Sequence, residues 1–90
     1  MSKINPLSLT YLPGLSFFTT REHLRTLFAP FGHVKEAFLV FDHKTGRPKG
    51  FGFVSYDSQI EAEKAIKAMN GRVVDGRIIF VEHCTSAILK

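Results

Sequence analysis

The chain has 90 residues, 44% of them hydrophobic and 22% charged, and Lys and Arg outnumber Asp and Glu to give a net charge of +4. A chain of this length is one domain with a small core, burying about 60–65% of its unfolded surface, and its apolar content excludes general disorder. No apolar run approaches the ~20 residues of a membrane span, and the single cysteine, Cys84, excludes an internal disulfide or a cysteine-based zinc site.

The opening stretch MSKINPLSLTYLPG has neither a secretory pattern nor the Arg- and Ser-rich character of a transit peptide. Ser8 to Leu12 predicts a first strand, ended by Pro13-Gly14. A helix follows in TTREHLRTLFAPFG, with Thr19 and Glu22 at capping-box spacing. Its apolar stripe is Leu24, Leu27, Phe28 and Phe31, and Gly32 is the stop. Val34 to Phe41 is rich in β-formers and predicts a second strand. The polar loop DHKTGRPK leads to a third strand, Gly50 to Tyr56. Ser58 and Glu61 form a second capping box, and Ala62, Ala65, Ile66 and Met69 a second stripe, closed by Asn70-Gly71. Val73-Val74 predicts a short strand-like piece, Asp75-Gly76 a turn, and Ile78 to Glu82 a fourth strand.

This β-α-β-β-α-β order predicts an α+β, ferredoxin-like sandwich: a four-stranded antiparallel sheet with both helices on one face. The helix-side parity is Thr10 and Leu12; Ala37, Leu39 and Phe41; Gly52, Val54 and Tyr56; Ile79 and Val81. Gly52 is expected to let a helix come close. The other parity carries Leu9, Tyr11, Phe38, Val40, Phe51, Phe53, Phe80 and the carboxylate of Glu82. Nothing in the sequence covers those rings unless the C-terminal TSAILK folds over Phe38 and Phe80 as a lid. A bare apolar patch of that kind calls for a partner. Unpaired nucleobases suit it, because each stacked base contributes roughly 1–3 kcal/mol. Lys35, Lys44, Arg47 and Lys49 flank the face and can neutralise phosphates. Glu82 can accept a hydrogen bond from a base amino group.

Lys49-Gly50-Phe51-Gly52-Phe53-Val54-Ser55-Tyr56 resembles, at every position, the longer ribonucleoprotein signature of the RNA recognition motif family. Thr10-Tyr11-Leu12-Pro13-Gly14-Leu15 resembles the shorter one, with Tyr11 in the aromatic slot, Thr10 in place of an aliphatic residue and Gly14 in place of the usual Asn. The resemblance covers residues 8–84 and leaves 1–7 and 85–90 as flexible or lid-like termini. It implies that Tyr11 and Phe51 stack on consecutive bases, Phe53 packs against sugars or between them, and Lys49 pairs with phosphate. It also implies base-edge contacts from His83, Cys84 and Thr85.

The stretches GLSFFTT and GRIIFVE are also similar to those of short single-domain RNA-binding proteins of plant organelles and mitochondria. The expected ligand is thus single-stranded RNA, in processing, editing, splicing or stability. The chain is expected to act as a monomer, with other RNA-processing proteins as further partners and no membrane. The expected setting is intracellular, in the nucleus, a mitochondrion or a chloroplast. The alternatives are a protein-interaction module on the same fold and a binder of single-stranded DNA, since stacking does not require a 2′-hydroxyl. No cofactor is expected. Asp42, Asp57, His23, Ser16 and Cys84 form no catalytic constellation, so no enzyme is expected.

Overall fold

In the computed structural model, which describes residues 6–84, alternation and helical period become a sheet backed by two helices. The elements are β1 (Leu9–Pro13), α1 (Arg21–Phe28), β2 (Val34–Phe41), β3 (Pro48–Tyr56), α2 (Gln59–Met69), β4 (Val73–Val74), β5 (Arg77–Ile78) and β6 (Glu82–His83). The main sheet has the order β2-β3-β1-β6 with antiparallel neighbours, and β4-β5 form a separate hairpin. The two long termini, and with them the expected TSAILK lid, lie outside the described residues.

Both helices lie on one face because their stripes share one core with the inward strand residues. Leu24 and Phe28 from α1 and Ala62, Ala65 and Met69 from α2 meet Leu12, Ala37, Val54, Tyr56, Ile79 and Val81. The Ser58–Glu61 box closes in both directions and starts α2. At α1 the cap is one residue later than the spacing predicts. Thr20 accepts from the His23 N–H at 3.1 Å, while the Thr19 hydroxyl donates to Asp75 Oδ2 at 2.8 Å. That bond and the 3.0 Å contact of His23 Nδ1 with the same oxygen tie the β4-β5 hairpin to the start of α1.

The fourth strand is shorter than expected. Asp75 and Gly76, at φ 51° and 84°, make the tight turn of a two-residue hairpin, so Ile78 pairs with Val73 instead of joining the sheet. Backbone beyond it bonds to the end of α2: Ile79 N donates to Arg72 O at 2.8 Å and Val81 N to Asn70 Oδ1 at 2.9 Å. Only Glu82 and His83 reach β1, opposite Tyr11 and Thr10. Phe41, expected inward, is exposed, because the β2-β3 register shifts between Leu39 and Phe41. Gly52 does admit close neighbours, but from the sheet and the β1-α1 loop rather than a helix: the Phe38 carbonyl and the Leu39 side chain of β2, and the Leu15 side chain of the loop.

Tyr56 is fully buried, and its hydroxyl donates to the Phe28 carbonyl at 2.6 Å, pinning α1 to the sheet. Burial, helped by the negative charge of Glu61, pushes the phenol pKa well up. A phenol held neutral in the fold contributes stability that is complete below its unfolded pKa of about 10 and is lost as pH rises above it. Urea titrations between pH 8 and 11.5 are expected to show an alkaline decline containing a one-proton component of about 1.4 kcal/mol per pH unit. Tyr56→Phe should remove that component and cost ~1–2 kcal/mol at neutral pH by orphaning the carbonyl. Identical alkaline limbs for both proteins would contradict this account.

Candidate nucleic-acid interface

Antiparallel pairing puts directly opposed residues on the same side of a sheet. Phe38 lies opposite Phe53, Phe53 opposite Tyr11, and Tyr11 opposite Glu82, so one row crosses all four strands on the face away from the helices. Phe51 is one step further along β3, opposite Pro13. The Tyr11, Phe51 and Phe53 rings touch one another: 5.9 Å from Tyr11 to Phe51, 5.4 Å from Tyr11 to Phe53 and 6.4 Å from Phe51 to Phe53. Their interplanar angles of 64°, 40° and 82° are edge-to-face or tilted, which leaves ring surface directed away from the cluster.

These rings are half-buried, by each other and by the sheet, rather than sealed. Phe38 is 37% exposed and Phe80 53% exposed. Phe80 sits by Gly14 at the end of β1, where its Cδ2 would lie 3.8 Å from a Cβ at that glycine. Val40 is half-buried at the β2 register shift. Glu82 closes the row, its carboxylate with no ion-pair or hydrogen-bond partner among the described residues. No enclosed pocket opens among the described residues.

The cations stand at one end. Lys49 is exposed on β3, and Lys44 and Arg47 are exposed in the β2-β3 loop. Asp42 builds that loop: its Oδ1 accepts from the amides of Lys44 at 2.8 Å and Thr45 at 3.0 Å, while its own N–H donates to Arg47 O at 2.8 Å. The Thr45 and Lys44 amides hold the Asp42 carboxyl below its usual range, with the charge of Lys49 adding to them. The carboxylate is therefore occupied in shaping the loop, and the side chains of Lys44 and Arg47 project into solvent.

Of the residues just after the last strand, His83 and Cys84 stand away from the open face. His83 is opposite the fully buried Thr10, on the helix side, and Cys84 is 1% exposed. Burial pushes the Cys84 thiol pKa up as well. Thr85 lies outside the described residues. Sequence reasoning assigned no role to Phe17 and Phe18, which project from the β1-α1 loop at 60% and 88% exposure. The available clue was their phase: neither belongs to the stripe that starts at Leu24, so nothing required them to be buried.

The family described as "RNA recognition motif" matches residues 11–79. The chain is 47% identical over 77 residues to "Organelle RRM domain-containing protein 6, chloroplastic" of Arabidopsis thaliana, covering 86% of this chain and 42% of that protein. It is 45% identical over 78 residues to "Organelle RRM domain-containing protein 2, mitochondrial" of the same plant, covering 87% and 50%. The chain thus spans about half the length of these curated relatives. Among solved structures, "SXL-LETHAL PROTEIN/RNA COMPLEX" superimposes with a TM-score of 0.79 at 30% identity, over 86% of this chain and 47% of that one.

Proposed function

Because the chain belongs to the RNA recognition motif family, we propose that it binds single-stranded RNA across the open face of its sheet. The observation that carries this is the uncovered row Phe38-Phe53-Tyr11-Glu82 with Phe51 beside it. Tyr11 and Phe51 take consecutive bases, and Phe53, in contact with both rings, packs against sugar. Lys49, Arg47 and Lys44 neutralise phosphates at one end. Phe38, Val40 and Phe80 widen the apolar surface. Glu82 accepts a hydrogen bond from a base bearing an amino group beside the Tyr11 ring. Single strands are favoured because a duplex hides its base faces. The solved neighbour whose name describes an RNA complex supports the ligand class. The relatives named as chloroplastic and mitochondrial favour an organelle over the nucleus and a role in handling organellar transcripts.

Salt dependence tests the electrostatic part. With three phosphate contacts, log K for a single-stranded RNA should fall against log salt with a slope of about −2. Each of Lys49→Ala, Arg47→Ala and Lys44→Ala should make that slope shallower by ~0.7. Absence of RNA binding at low salt, or a slope unaffected by all three substitutions, would overturn the assignment.

A further inference from the structure

Phe18, at 88%, is more exposed than any other large apolar residue among the described residues, and Phe17 beside it is 60% exposed. Their loop is well anchored. Leu15 is buried and its N–H donates to Gly50 O at 2.8 Å. Within the turn, Phe18 N donates to Ser16 Oγ at 3.1 Å and Thr19 N to Ser16 O at 3.2 Å. Thr19 is buried and holds Asp75. A turn fixed at both ends and bonded across its middle displays its rings in a defined place.

That place adjoins the strand carrying Lys49 and Phe51. The Phe17 ring lies against the bare backbone of Gly50, where an added Cβ would be 3.0 Å from Cε1. The turn from Gly14 to Thr20 contains no acidic residue of its own, the Asp75 carboxylate at its far end being held by Thr19 and His23, and its strand neighbour Lys49 is exposed and positive. A nucleotide meets both features, with a base for a ring and a phosphate for the ammonium group. We propose that the Phe17-Phe18 turn is an additional nucleotide-binding station, taking one unpaired base of the same strand beyond those on the sheet, an assignment that rests on the RNA-binding function proposed above. It lengthens the footprint around the end of β1 and makes affinity depend on RNA length.

The test uses the full chain with oligouridylates of about four and about eight nucleotides, followed by fluorescence anisotropy. Phe17→Ala/Phe18→Ala should bind the short oligomer as the parent does and the long one about tenfold more weakly, the effect of one lost stack. Phe18→Ala alone, with its melting temperature unchanged, should keep part of that length-specific deficit. Equal binding of the long oligomer by parent and variants overturns the station; if Phe51→Ala/Phe53→Ala still weakens binding, the sheet assignment stands. A parent that binds neither oligomer overturns both. Unchanged RNA binding with loss of a self-associated form in sedimentation assigns the rings to a second copy of the chain and overturns the proposal.

Discussion

Phe51→Ala/Phe53→Ala is expected to weaken binding of single-stranded RNA by ~2–5 kcal/mol, the worth of one to two stacked bases, while the protein stays folded. The two rings can be removed because they lie on the side of β3 away from the core. Gly52, Val54 and Tyr56 supply the buried side of the same strand. Some stability is lost, since each ring touches the other and Tyr11. Edge-to-face aromatic pairs contribute ~0.5–1.5 kcal/mol beyond their buried area, so a drop of a few degrees in melting temperature is expected. Anisotropy on labelled RNA, beside circular dichroism of the same samples, separates the two effects. Unchanged affinity in a folded double variant would remove the rings from the interface. Tyr11→Ala should weaken binding by ~1–3 kcal/mol, the worth of the one base its ring takes.

Gly52→Ala should destabilise the fold by about 3 kcal/mol, at the upper end of ordinary overpacking costs. A Cβ at Gly52 would run into the Phe38 carbonyl oxygen, closer than real side chains approach, with Leu15 Cδ1 and Leu39 Cδ2 each at 3.3 Å. The two methyl groups can shift by a few tenths of an ångström, but the carbonyl belongs to the backbone of the neighbouring strand. Relief therefore requires β2 and β3 to separate where Leu39 opposes Gly52. Gly46→Ala is the control: φ is 72° there and nothing lies within 4 Å. It isolates backbone strain, ~1 kcal/mol, without a clash. Urea midpoints for the two variants should differ accordingly, and a Gly52→Ala midpoint equal to that of the parent would show that β2 yields freely. Displacing β3 at this point also moves Phe51 and Phe53, which flank Gly52, so RNA affinity should fall with stability.

Much of this arrangement was legible before any coordinates. Thr10, Leu12, Val54 and Tyr56 are fully buried, and the alternate residues Tyr11, Phe51 and Phe53 are not, as the two-residue period requires. Ser58 and Glu61 announced α2 because a capping box is written within four consecutive residues. The errors concern competition from distant groups. Thr19 has the same local credentials as Thr20, but its hydroxyl is taken by Asp75, far along the chain. Ile79 and Val81 are buried as their parity predicts, at 0% and 2%, yet they form no strand, because Asn70 and Arg72 claim their backbone amides.

The sequence alone determined most of the faces: alternation and helical period assign side chains to core or solvent through local geometry, and Phe41 departs from its parity only where the β2-β3 register shifts. Only the tertiary structure decided the neighbours. Register aligned Phe38, Phe53, Tyr11 and Glu82 in one row, folded Phe17 against Gly50, and turned His83 toward the helices. Those outcomes depend on hydrogen bonds between residues far apart in the chain, where several pairings satisfy the same local pattern and packing selects among them.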